Sequence, residues 1–196
     1  MPFCSRRFWS ITICSLALAA CEGASGPRFR STDITGVPYG QTLELADHAG
    51  KPRRLEDWRG KAVVLFFGFT HCPDVCPTTL SDIAQAIRTL GPDADRVQVL
   101  MVSLDPERDE PGALGKYVTA FDPRFIGLRG DLAATRKVAA EFKIYFEKRK
   151  QGDGYTVDHS AQSYVIDPQG RLRLLVRHDR IAQDLAHDLR ALLREG

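Results

Sequence analysis

No P-loop, dinucleotide-binding glycine pattern, internal repeat or low-complexity tract occurs in this chain of 196 residues, which sets aside phosphate-cradling loops and repeat arrays. No apolar run reaches the roughly 20 residues of a membrane-spanning helix; the uncharged stretch near the start, Phe8 to Ala20, has 13. Excess charge is also missing. The net charge of +2 comes from Arg6 and Arg7 alone, since the other 25 basic residues balance 25 acidic ones, so nothing points to nucleic acid or an anionic surface as the main partner. Methionine is reduced to Met1 and Met101, the latter inside an apolar strand pattern and read as core. What remains is a 43% hydrophobic chain, enough for one domain with a sizeable core.

Residues 1–20 read as an export signal: Arg6-Arg7 is the charged flank of a short apolar stretch. Leu18-Ala19-Ala20-Cys21 resembles the bacterial lipobox, in which the signal is cut before a cysteine that then carries lipid. The sequence therefore predicts an exported, membrane-anchored lipoprotein, facing the periplasm or the outer side of the inner membrane, with Cys21 as the lipid attachment. A flexible tether follows over residues 21–32, rich in glycine, serine and proline, and the domain occupies residues 33–196. Cys4 and Cys14 leave with the signal and Cys21 is taken by lipid, so the domain keeps only Cys72 and Cys76.

Those two cysteines sit where the apolar stretch Lys61 to Phe69, read as a strand covered on both faces, meets Pro73 and Pro77, which end it and start a helix. Leu80, Ile83, Ala84, Ile87 and Leu90 carry that helix to Gly91-Pro92. Before the strand, turn signals at Asp47–Gly50 and Trp58–Lys61 predict an N-terminal β-hairpin, with His48 a solvated turn histidine. A strand over Val97 to Leu104 leads into the acidic Asp105–Pro111 loop. That loop lacks the glycine and alternating ligands of an EF-hand and reads as capping or partner docking. Helices are expected over 113–121 and 133–142, with a short strand near 125–128 between them. Further on come a hairpin around Gln151–Gly154, a strand over Ser163–Ile166, and a strand over Arg171–Arg177 with Arg171, Arg173 and Arg177 solvated. A last helix buries Ile181, Leu185, Leu189 and Leu192. A βαβ unit joined to a ββα unit, with a Cys pair at the first strand-to-helix corner, predicts an α/β, thioredoxin-like fold: a central mixed sheet flanked by helices, with the N-terminal hairpin as an extension.

A helix N-terminus favours thiolate over thiol, making both sulfurs better nucleophiles and better metal ligands. Three residues separate them, so both sulfurs can reach one spot. A purely structural disulfide closing so short a loop would add little stability. Two thiolates suit Cu(I) or Zn, and a third donor is needed from His48, His71, His159, His178 or His187. His159 stands out, next to Asp158 at the start of a late strand that a thioredoxin-like fold brings near the cysteine corner; that carboxylate or a neighbouring acid could hold the second ring nitrogen. A Cys2His set fits Cu(I) better than structural Zn. Asp158-His159-Ser160 cannot form a hydrolase triad, because sequence neighbours cannot take up the mutual geometry. Thr70 is one residue too close to Cys72 for a peroxiredoxin Thr-x-x-Cys.

Phe69-Thr70-His71-Cys72-Pro73-Asp74-Val75-Cys76-Pro77, Asp105-Pro106-Glu107-Arg108-Asp109, Phe121-Asp122-Pro123-Arg124-Phe125 and Val157-Asp158-His159-Ser160 together closely resemble the SCO/SenC family of thioredoxin-like copper proteins. The resemblance runs from about Asp33 to near the C-terminus. It implies that Cys72, Cys76 and His159 bind one copper ion, as Cu(I) or Cu(II). It also implies a metallochaperone without turnover of its own, which helps mature the binuclear copper A centre in cytochrome c oxidase subunit II. A periplasmic copper donor and a thiol reductant are the further partners implied. The alternatives are a thiol-disulfide oxidoreductase acting on that subunit, with Cys72 as nucleophile and Cys76 as resolving partner, and a redox or copper sensor. Phe69 stands where Tyr is common in the family.

Overall fold

The computed structural model describes Met1 and residues 28–195; the expected signal, Cys21 and most of the tether lie outside them. A short strand, β1 (Thr32–Asp33), opens the fold. β2 (Glu44–Asp47) and β3 (Pro52–Arg54) form the expected hairpin, whose turn is held by the Asp47 carboxylate accepting the N–H groups of Ala49 and Lys51, both at 2.9 Å. Then follow β4 (Ala62–Gly68), α1 (Val75–Thr89), β5 (Val97–Ser103), α2 (Pro111–Thr119), β6 (Ile126–Arg129) and α3 (Leu132–Glu141). The chain closes with β7 (Phe146–Gln151), β8 (Gly154–His159), β9 (Ser163–Ile166), β10 (Leu172–Val176) and α4 (Ile181–Leu193).

Eight strands form one mixed sheet in the order β1-β10-β9-β4-β5-β6-β2-β3. β4 is its axis: every one of its residues is buried, and it runs parallel to β5 and antiparallel to β9. The β4-α1-β5 and β9-β10-α4 units are the predicted βαβ and ββα halves of the thioredoxin-like arrangement. The N-terminal hairpin docks through β2 on β6, Ala46 opposite Arg129, and so extends the far edge of the sheet. α1 starts without difficulty because Pro77 falls in its first turn, where a missing N–H breaks no helical bond. Its stripe Leu80, Ile83, Ala84 and Ile87 is buried, as are Ile181, Leu185, Leu189 and Leu192 of α4, and the two helices pack together. Each of these leucine and isoleucine side chains contributes about 1.5–3 kcal/mol through burial. Met101 lies in the core, as predicted.

Several local expectations are corrected. Arg173 is only 7% exposed. A register shift between Leu172 and Leu174 accompanies its inward turn, and it pairs with Asp167 at 3.2 Å and Glu195 at 2.7 Å; only Arg171 and Arg177 are solvated. His48 is no solvated turn residue: its Nδ1 accepts the Gly127 N–H at 3.1 Å and its ring lies against Gly115 of α2. The end of the expected tether is held down, with the N–H groups of Arg30 and Ser31 donating to Asp188 at 2.8 and 2.9 Å. The hairpin expected around Gln151–Gly154 is present: β7 and β8 pair antiparallel and form a two-stranded sheet of their own. Among the described residues no helix is long and apolar enough to cross a membrane.

Candidate metal centre

β4 ends at Gly68 and the chain turns through Phe69–Asp74 before α1 begins, so Cys72 lies in the turn and Cys76 in the first turn of the helix. The two sulfurs are therefore brought together by a turn that folds back rather than by one helix: Cys72 N–H donates to the Phe69 carbonyl at 3.3 Å, and Cys72 Sγ accepts the Cys76 N–H at 3.4 Å. Both thiols are free. Cys72 is half-buried and Cys76 wholly buried. Gly68 leaves the room this requires, since a Cβ there would lie 3.0 Å from Cys76 Sγ and 2.7 Å from the Phe66 ring.

This asymmetry separates the sulfurs chemically. The Cys76 thiol donates to Cys72, and the N–H groups of Asp74 and Cys76 point at the same sulfur, which outweighs desolvation and lowers the Cys72 pKa to about 5. Cys76, as the donor, is pushed strongly upward by that bond, by burial and by the negative charge of Asp109. The pair is a thiolate presented outward with a protonated thiol beneath it.

His159 closes β8, rather than opening the next strand, and this brings its Nε2 to 3.8 Å from Cys76 Sγ. Its Nδ1 lies 2.8 Å from the Ser160 carbonyl, an acceptor only, so Nδ1 carries the proton and Nε2 faces the sulfur with a free lone pair. The expected carboxylate partner is not used: Asp158 pairs with Arg149 at 3.2 Å, because alternation along the strand sends the two side chains to opposite faces. Phe69 meets the imidazole edge-on, centroids 6.0 Å apart. His48, His178 and His187 lie elsewhere, and His71, the chain neighbour of Cys72, is 53% exposed. Among the described residues no three His, Cys, Asp or Glu side chains form a ready-made metal set; Cys76 and His159 face each other, while Cys72 gives its sulfur to the Cys76 N–H. The donor chemistry nonetheless fits a soft ion. Bonds of roughly 2.3 Å to sulfur and 2.0–2.1 Å to nitrogen at a trigonal angle put S and N roughly 3.7–3.8 Å apart, matching the 3.8 Å observed.

The SCO1/SenC family profile matches residues 32–194. This chain belongs to the SCO1/SenC family. Among curated relatives, the mitochondrial SCO2 homolog of Mus musculus is 36% identical over 152 residues, 76% of this chain but only 60% of the mouse protein, so the chain spans about three fifths of that relative. Among solved structures, Bradyrhizobium japonicum ScoI with copper bound is 40% identical with a TM-score of 0.72, covering 79% of this chain and 99% of that one. Apo Sco1 from Thermus thermophilus is 42% identical with a TM-score of 0.75, covering 87% and 100%.

In this SCO1/SenC chain the acidic loop is the part that residue-by-residue reading missed. Asp105 and Asp109 are fully buried rather than displayed for docking. Asp109 accepts from Ser103 Oγ at 2.6 Å and from the Thr70 hydroxyl at 2.7 Å, anchoring the turn that carries Cys72. Asp105 accepts from Arg108 Nε at 2.5 Å and Tyr155 Oη at 2.9 Å. Arg108 also donates to the Tyr155 carbonyl at 3.0 Å and stacks 3.9 Å over the Tyr155 ring. That clamp, with Lys148–Glu107 at 2.6 Å, ties the β7–β8 hairpin, and hence His159, to the body. The only available signal was the Asp105-Pro106-Glu107-Arg108-Asp109 motif itself.

Proposed function

We propose that this protein binds one copper ion through Cys72, Cys76 and His159 and carries it to a partner. The carrying observation is the facing of Cys76 Sγ and His159 Nε2 at 3.8 Å with Nδ1 pinned by Ser160. An already deprotonated Cys72 supports it, needing only to exchange the Cys76 N–H for the metal. Copper bound in Bradyrhizobium japonicum ScoI, at 40% identity, supports the choice of ion. The partner on this reading is cytochrome c oxidase subunit II, whose binuclear copper A centre is matured with the delivered ion; a periplasmic copper donor supplies it. The protein works at the membrane surface after export, held by lipid on Cys21, so Cys21→Ser should move it from the membrane fraction to the soluble one. The testing experiment is an anaerobic Cu(I) titration of the reduced protein against a competing chelator, wild type beside His159→Ala. One-to-one binding that weakens at least about tenfold in the variant is expected; binding indifferent to His159 rejects the site.

A second reading draws on the thiolate–thiol asymmetry: Cys72 as attacking sulfur and Cys76 as resolving partner, reducing the cysteines of the same subunit, with a thiol reductant to regenerate the pair. Disulfide exchange that survives His159→Ala distinguishes it. The two readings are linked, because oxidation of the pair removes both sulfur donors.

A further inference from the structure

His71 immediately precedes Cys72, yet it plays no part in the three-donor set. Its surroundings nonetheless differ from those of an ordinary surface histidine. Asp109, with no solvent exposure, receives hydrogen bonds from Ser103 Oγ at 2.6 Å, from Thr70 Oγ1 at 2.7 Å and from Thr70 N–H at 3.2 Å. A carboxylate receiving three donors is an acceptor, so the single Thr70 hydroxyl proton points to Asp109. Thr70 Oγ1 lies 3.0 Å from His71 Nδ1, and with its own proton already used it can only accept. The neutral imidazole is therefore the Nδ1–H tautomer, with Asp109 Oδ1 a further 3.8 Å from that nitrogen reinforcing the choice. Its Nε2 is left with a bare lone pair on a half-exposed ring. A ring nitrogen oriented by a relay to a buried carboxylate is the supporting arrangement found behind metal-ligating histidines; His159 has its counterpart in the Ser160 carbonyl.

Resting on the copper-carrying reading, we propose that His71, next to Cys72 in the chain and half-exposed, is an exchange ligand: its Nε2 binds Cu(I) transiently as the ion moves between the Cys72–Cys76–His159 donors and an outside acceptor. A bond from Nε2 to copper forms as one from the resident donors breaks; the ion remains Cu(I), no electron is transferred, and Cys76, freed as a thiolate, takes a proton from solvent as the ion leaves. The first test needs no metal. Two-bond ¹H–¹⁵N correlation spectra of the reduced, metal-free protein should show His71 as the Nδ1–H tautomer, lost in Thr70→Val; an Nε2–H tautomer in the wild type overturns the proposal. The second follows Cu(I) leaving the loaded protein for an excess of a bidentate chelator by stopped flow. His71→Ala should slow transfer roughly tenfold, a larger change than in its equilibrium affinity, with Thr70→Val slowed in the same direction. Unchanged rates, or a loss of affinity as large as in His159→Ala, overturn it. Failure of the wild type to take up Cu(I) at all removes the copper-carrying function itself, whereas wild-type uptake with unchanged variant rates removes the exchange ligand alone.

Discussion

Asp109 and Thr70 are joined three ways: each carboxylate oxygen lies 3.2 Å from the Thr70 N–H, and Oδ1 takes the Thr70 hydroxyl at 2.7 Å. A charge with no solvent exposure is tolerable only when its lone pairs are used, and here they fasten the turn carrying His71 and Cys72 to the loop after β5. Asp109→Asn turns one acceptor into a donor facing donors. It should lower stability by about 1–3 kcal/mol in urea unfolding. Removing that negative charge also lowers the pKa of Cys76, one of whose upward influences is Asp109. Alkylation of Cys76 in a Cys72→Ser background reads that second effect.

The thiolate at Cys72 has its own pH signature. With a pKa of about 5, alkylation of the reduced protein should be near its plateau at neutral pH and fall only as pH drops through 5. The folded value lies below the unfolded one of about 8.5. Its contribution to stability is therefore complete above about pH 8.5 and is lost as pH falls through the folded value. Cys76 acts oppositely: its raised pKa costs stability only where the unfolded thiol ionises, at the alkaline end. The difference in stability between wild type and Cys72→Ser, measured from pH 5 to 8, should widen with pH; a flat difference contradicts the assignment.

Arg108 is expected to govern His159 at a distance, as a positioning residue. Arg108→Lys keeps the charge but gives up the flat stack on Tyr155 and the divided bonds to Asp105 and the Tyr155 carbonyl. Amide exchange should quicken along β8, and copper affinity should drop by about tenfold, while the Cys72 alkylation profile stays in place. If affinity is unaffected although β8 exchanges faster, the clamp serves only the hairpin.

Gly68→Ala tests the packing beneath the sulfurs. Its methyl would sit 2.7 Å from the Phe66 ring and 3.0 Å from Cys76 Sγ, and neither neighbour is free to withdraw because both are buried in the core. A loss of about 1–3 kcal/mol in thermal or urea unfolding is expected, with copper affinity reduced as Cys76 is displaced.

Local pattern alone determined much of this protein. The stripes of α1 and α4, the strand Ser163–Ile166 and the corner between β4 and α1 are readable because helical period, β-branched runs and proline act over neighbouring residues. That is why the thioredoxin-like order and the cysteine corner with Cys72 and Cys76 were within reach of the sequence, while His159 was singled out chiefly by the resemblance to the SCO/SenC family. Tertiary structure decided the rest: whether Asp105, Asp109 and Arg173 face water, whether His159 is held by Asp158 or by the Ser160 carbonyl, and what Arg108 grips. The physical reason is that burying a charge is permitted only by its partners. The partners of Asp109, Arg108 and Arg173 come from segments as distant as Thr70, Tyr155 and Thr35, which only the folded chain brings together.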